Sequence, residues 1–280
     1  GKIHTAGQTI SGLEQQTLQV AQVHLLELYK ELIEPLGTGL SERLTIVPHG
    51  MLHSIPFHAL FDGSSYLIDK HEVTYGPSAS VLKFCADKVT SPLRKPLVVG
   101  VDDSAIPYTV DEAESVASLF PNATLLVREK ATHDRITNLV ASHDALHLAS
   151  HGVFREDNAA FSGIKLKDGW LTLHDIYNMD LRNTSLVTLS ACQTGVNLVN
   201  PGDELVGITR GFLYAGAPSM VVSLWEVNDQ ATSQLMRCFY AGVRDGKTKA
   251  AALREALLQV REEHVHPYYW APFILVGKPN

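Results

Sequence analysis

The sequence is poor in cysteine. Three cysteines, Cys85, Cys192 and Cys238, stand far apart, and no Cys-x-x-Cys occurs. An odd, widely spaced set gives neither a disulfide framework nor a zinc ribbon and points to a reducing compartment, where a free thiol persists. No apolar run approaches the roughly 18 residues that suggest a membrane-spanning helix, and the first twelve residues lack the basic-then-apolar pattern of a secretory leader. The chain does not open with Met and reads as a piece of something longer. Runs of Lys or Arg are absent and the net charge is -7, which argues against a nucleic-acid backbone as partner and is compatible with a basic protein or peptide. There is no repeat of fixed period and no low-complexity tract. The stretch from Gly195 to Gly202 holds no phosphate-cradling GxxxxGK[ST].

What is present is an ordinary globular composition, 45% hydrophobic and 19% charged over 280 residues. Leu18, Leu25, Leu28 and Leu32 recur near helical spacing, so residues 13–34 are expected to form a helix stopped by Pro35 and Gly37. A short strand over Leu44 to Val47 follows, then an apolar stretch broken by Pro56, a hairpin around Tyr66 to Tyr75 and a short helix over Ser78 to Ala86. Ser91 to Pro96 reads as a linker. Beyond it the pattern becomes strand, helix, strand. Strands are expected at 97–101, 124–127, 145–149, 186–189, 220–224 and 273–276, with helices at 111–120, 132–140, 204–214, 230–243 and 249–263. Such alternation predicts an α/β fold with a mainly parallel sheet covered on both faces.

In a sheet of this kind, functional groups gather beyond the carboxyl ends of the strands. Two apolar runs end in reactive residues: Leu148-Ala149-Ser150-His151-Gly152 and Leu189-Ser190-Ala191-Cys192-Gln193-Thr194-Gly195. A thiol becomes a strong nucleophile only as thiolate, and a nearby imidazole takes its proton. Acyl transfer also needs donors for an oxyanion, and the backbone N–H groups of Gly152 and Cys192 are the candidates. Either residue alone reads as structural, a small buried hydrophobe or a hydrogen-bonded core histidine. Their placement at two successive strand ends favours chemistry. The caspase signature Gln-Ala-Cys-x-Gly, with its histidine about 50 residues upstream, is similar to Ser-Ala-Cys-Gln-Thr-Gly here but not identical, and the interval from His151 is shorter.

Six segments in order, LTIVPHGMLHSIPFHAL (44–60), YLIDKHEVTYGPSAS (66–80), LHLASHGVF (146–154), LVTLSACQTG (186–195), GDELVGITRGFLYAGAPSMVVSLWEVND (202–229) and YWAPFILVG (269–277), resemble the CHAT domain family. This is a branch of the caspase and separase clan of cysteine peptidases that is often fused to tetratricopeptide repeats. The resemblance implies a caspase-like three-layer sandwich over residues 96–280 and a degenerate caspase-like half over residues 1–95. It implies His151 and Cys192 as a catalytic pair, no metal or organic cofactor, a protein substrate, and a regulatory protein or repeat region as partner. A bacterial, cytoplasmic setting is also implied. The loop Ser223 to Asp229 resembles the separase segment in which acidic residues hold an arginine. Glu226 and Asp229, with Trp225 beside them and Asp203 as a third acid, are therefore candidates for binding Arg or Lys before the cleaved bond.

Blander readings exist: Asp229 and Asp203 each suit helix capping, and Glu226 suits a solvated face. His49, His53 and His58 lack the carboxylate or thiol support a metal needs. His264 and His266 sit at a helix end, where the dipole favours them. Ser150 and Ser190 are expected to point into the sheet layers, and Cys85 and Cys238 into the core. The activity implied is endopeptidase. The rivals are a latent CHAT module that acts by binding partners and a thiol hydrolase of non-peptide esters or amides.

Overall fold

The computed structural model describes residues 3–5, 8–10, 12–153, 162–190 and 203–280. A two-stranded ribbon, β1 (Ile3–Thr5) and β2 (Gln8–Ile10), precedes helix α1 (Gly12–Leu32). Strands β3 (Arg43–Ile46) and β4 (Glu72–Tyr75) flank the short helix α2 (Leu67–Lys70), and α3 (Ala79–Ala86) closes this part. Then come β5 (Pro96–Gly100), α4 (Thr109–Ser118), β6 (Thr124–Val127), α5 (His133–Val140) and β7 (Ala145–Ala149). Three short strands follow, β8 (Gly152–Val153), β9 (Gly163–Leu166) and β10 (Gly169–Thr172), with α6 (Leu173–Tyr177) after them. The chain continues through β11 (Leu186–Leu189), α7 (Asp203–Ala215), β12 (Ser219–Ser223), α8 (Asp229–Arg244), α9 (Lys249–Glu263), α10 (Pro267–Trp270) and β13 (Phe273–Gly277).

Eight strands form one sheet in the order β3-β4-β13-β12-β11-β7-β5-β6. All neighbours are parallel except β12 and β13. The carboxyl ends of β5, β7, β11 and β12 therefore share one edge. Both faces are buried, which is why the central strands read as unbroken apolar runs. Leu97, Val99, Leu146, Leu148, Val187, Leu189, Met220 and Val222 pack with Ile136 of α5 and Phe212 of α7 on one side. Val98, Ala145, Leu186 and Val221 pack with Ala113 and Val116 of α4 and Leu235 and Phe239 of α8 on the other. This period of two is what the pleat imposes. Gly100 lets α4 lie close on β5, since a Cβ there would stand 2.7 Å from the Ala113 Cβ and 2.9 Å from the Thr109 carbonyl oxygen.

The central elements fall where periodicity puts them, within a residue or two. The hairpin expected around Tyr66 to Tyr75 does not form. Asp69 accepts from the Tyr66 N–H at 2.8 Å and starts α2 instead. β4 pairs in parallel with β3, and only an isolated bridge joins Phe61 to Tyr66. The Ser91–Pro96 stretch is tied to the sheet: the N–H groups of Arg94 and Lys95 both donate to Asp144 at 2.7 Å, and the Ser91 N–H donates to Ser185 Oγ. The strands β8, β9 and β10 are not expected from the sequence: β8 has only two residues, and β9 and β10 each open on a glycine, which weakens a strand signal.

Candidate active site

His151 lies just past β7, and its side chain is 16% exposed. Strand β9 pins it: the Lys165 N–H donates to the His151 carbonyl at 2.7 Å, and Ser150 Oγ donates to the Lys165 carbonyl at 2.5 Å. Ser150 and Ser190 are both buried, and Ser190 Oγ donates back to the Leu148 carbonyl, as their strand positions require. Gly152 faces Ile164 across β8 and β9. Hydrogen-bonded and non-bonded pairs alternate along an antiparallel ladder, and Lys165 bonds His151. The Gly152–Ile164 pair is therefore the non-bonded one, and the Gly152 N–H is directed away from β9.

Asp103, on the segment after β5, reaches the same edge. Its Oδ2 stands 3.8 Å from His151 Nε2 and 2.7 Å from Lys165 Nζ, and its Oδ1 accepts from the Ala105 N–H at 3.0 Å. The Lys165 ammonium and the Ala105 N–H hold its carboxyl below the usual carboxylate range, against a smaller opposing effect of burial.

Asp229 opens α8 but does not cap it; Asn228 does, accepting from the Ala231 N–H at 3.1 Å. Asp229 is partly buried, within electrostatic reach of Glu112, His151 and Glu226, with a hydrogen bond from the Tyr108 backbone. Burial first, then the Glu112 charge, pushes its pKa up, while His151 and the Tyr108 N–H act the other way. Glu112 Oε1 of α4 stands 2.9 Å from His147 Nε2 of β7, and both side chains are buried. The His147 ring meets Tyr240 edge-on, and Tyr240 donates to Thr188 Oγ1 at 2.8 Å. Trp225 is half-buried, with its indole N–H donated to the Tyr268 carbonyl at 3.1 Å. Glu226 is exposed.

The structure thus brings His151, Gly152 and Asp229 to one edge, together with Asp103, Lys165 and Glu112, which sequence reasoning missed. Asp102-Asp103 reads in the sequence only as the end of a strand; its place at the carboxyl edge of the sheet was the available signal. Cys192 lies outside the described residues. Asp203 is placed only as the first residue of α7. Among the described residues no group of three or more His, Cys, Asp or Glu side chains is arranged to hold a metal ion. Cys85 is fully buried and Cys238 partly so, and burial raises the pKa of both thiols. Among the described residues no helix is long and apolar enough to cross a membrane.

The family model for the CHAT domain matches residues 22–278. The chain belongs to the CHAT domain family. Tetratricopeptide repeat protein 28 of Mus musculus is 25% identical over 347 residues, covering 99% of this chain. Its Homo sapiens counterpart is 27% identical over 338 residues, covering 95%. The CHAT chain spans 14% of the length of either relative. Among solved structures, separase in the Saccharomyces cerevisiae separase–securin complex superposes with a TM-score of 0.60 at 15% identity, over 93% of this chain and 17% of that one. The Arg-specific cysteine proteinase gingipain R superposes with a TM-score of 0.58 at 11% identity, over 93% of this chain and 67% of that one. At these identities the likeness concerns the fold: this CHAT domain has the caspase-like sandwich of cysteine peptidases.

Proposed function

We propose that this CHAT domain is a cysteine endopeptidase in which His151 and Cys192 form the catalytic pair. The observation that carries the reading is the position of His151. It stands at the carboxyl edge of β7, paired directly with β11, whose sequence runs on into Ser-Ala-Cys192. His151 takes the thiol proton and later returns it to the leaving amine; Cys192 attacks the carbonyl; the N–H groups of Gly152 and Cys192 hold the oxyanion. Asp229, within electrostatic reach of His151, supports a preference for Arg or Lys before the cleaved bond, with Glu226, Asp203 and Trp225 as further contributors to that pocket. A basic side chain there would relieve the crowding of Asp229 by Glu112. Residues 1–95 are read as the degenerate half that extends the sheet beside the catalytic half, residues 96–280. The partners proposed are a protein substrate and a regulatory protein or repeat region, since the relatives are named for tetratricopeptide repeats.

A second reading is a latent module that acts through its partners, favoured by those same relatives. Cleavage of a peptide library beside the Cys192→Ala variant separates the two. The expected result is cutting after Arg or Lys that disappears in the variant while its circular dichroism is unchanged. Cutting that survives in Cys192→Ala rejects the assignment of the nucleophile. No cutting by the unmodified protein, alone or with its repeat region supplied, favours the module.

A further inference from the structure

We propose that the groove between α3 and α7 is a docking site for an amphipathic helix of a partner protein that carries a carboxylate beside its apolar stripe; this goes beyond the peptidase reading and does not rest on it. The groove has a volume of about 500 Å³ and is lined by Val81 and Phe84 of α3, Tyr177 of α6, and Arg210, Leu213 and Tyr214 of α7. The two helices bury their other sides in the core on the same face of the sheet, α3 through Cys85 and α7 through Ile208 and Phe212. Their outward stripes therefore flank one furrow. The lining residues of each helix are spaced by three or four, so each offers about one turn of side chains to the groove. Lys88 ties the two helix ends together: its Nζ donates to the Gly216 carbonyl at 2.6 Å and lies 4.7 Å from the centroid of the Phe84 ring. Helix α7 leads from β11 to the parallel strand β12, so it ends at the amino edge of the sheet. Tyr214, in its last turn, thus lies toward the end of the sheet away from His151.

Three aromatic rings are left open to solvent here. Tyr214 is 74% exposed, Phe84 50% and Tyr177 41%, and the Tyr177 and Tyr214 rings meet edge-on with centroids 5.4 Å apart. Arg210 is exposed as well and has no ion pair among the described residues. The residues one turn away from it on α7, Val206, Gly207, Leu213 and Tyr214, include no acid. Tyrosine and arginine are the residues that anchor protein interfaces, and a guanidinium takes a carboxylate through two parallel N–H donors. An apolar furrow with a cation on its wall is therefore complementary to an apolar stripe with an acid beside it. The form of the occupant follows from the walls. They are helix side chains and present no strand edge, which excludes strand addition, whereas a third helix lies naturally along two others. A second copy docked groove to groove about a two-fold axis would set Arg210 against Arg210. A small ligand is held by several converging polar groups, and Arg210 is the single charged residue in this lining.

The test uses the intact chain and a displayed library of amphipathic helices of about 16 residues, in which one apolar stripe is fixed and Glu, Gln and Lys vary at the flanking positions. Selection on the unmodified chain is expected to enrich Glu at a flanking position. The best binder is then made as a fluorescent peptide and titrated by anisotropy. Tyr214→Ala is expected to weaken its binding roughly thirtyfold, and Arg210→Glu about tenfold. Changing the selected Glu of the peptide to Lys should restore binding to Arg210→Glu and weaken it on the unmodified chain. A residue that merely supports the fold does not produce that reversal. If Tyr214→Ala does not fold, the charge swap at the exposed Arg210 decides. No enriched helix, enrichment of Lys in place of Glu, or a charge swap without recovery overturns the proposal. So does a chain that self-associates in sedimentation velocity and is made monomeric by Tyr214→Ala, which assigns the groove to a second copy. Absence of peptide cleavage, with helix binding as expected, counts against the peptidase reading and leaves the docking site standing.

Discussion

His58 shows what burial does to a single titratable side chain. It lies between Tyr75, whose hydroxyl is 3.3 Å from Nδ1, and the edge of Trp270. Removal from water lowers its pKa to about 4, with a hydrogen bond to the Ala271 backbone acting against the shift. The folded protein therefore keeps His58 neutral where the unfolded chain, with an ordinary value of 6.5, already binds a proton. Between those values unfolding takes up a proton, so stability rises with pH across the window and is fully present above pH 6.5. The expected loss on acidification from pH 7 to 4 is roughly 3 kcal/mol from this group. Urea midpoints measured across the range should fall with pH, and a His58→Gln variant should show a flatter dependence between pH 6.5 and 4. An unchanged slope in the variant would mean that His58 is protonated in the folded state.

At the scale of the element, α8 has the most direct link to the site. Its apolar face buries Leu235, Met236, Phe239 and Tyr240, while its first residue, Asp229, lies within electrostatic reach of His151. The start of the helix is fixed by the Asn228 side chain. Asn228→Ala should cost about 1 kcal/mol by leaving that N–H without its side-chain acceptor, whereas Asn228→Asp should preserve most of the stability. If Asp229 receives a basic side chain, Asn228→Ala should also raise KM for Arg substrates more than it lowers kcat. Guanidinium unfolding and steady-state kinetics on the two variants check both parts. The trio β8, β9 and β10 has no comparable sequence signal, yet it carries the bonds that hold His151 and Lys165.

For the molecule as a whole, β13 decides the architecture. The last strand of the chain pairs antiparallel with β12 and parallel with β4, so residues from both ends of the sequence share one sheet. Side chains reinforce the join: Arg254 donates to the carbonyls of Ile68 and Asp69, and Arg261 to the Asp69 carboxylate at 2.6 Å. Residues 43–75 are therefore expected to unfold with the rest. Denaturant transitions followed by far-ultraviolet circular dichroism and by tryptophan fluorescence should coincide. Two separated transitions would show that the first part of the chain melts as a unit of its own.

The sequence by itself determined the alternation of strands and helices after residue 96, because fully buried strands and amphipathic helices leave distinct periods. It also put His151 directly after the apolar run that forms β7, because a residue following such a run lies at a strand end; Cys192 lies outside the described residues. Ala113, Val116, Ala117 and Phe120 are buried together as their spacing requires. Only the tertiary structure decided which strands are neighbours, since pairing order depends on chain reversal over long distances and leaves no local period. That order is what brings Asp103 to 3.8 Å from His151 and joins β4 to β13. The hairpin at residues 66–75 gave way to α2 and a parallel strand for the same reason: β3 offered β4 a better partner than the segment beside it in sequence.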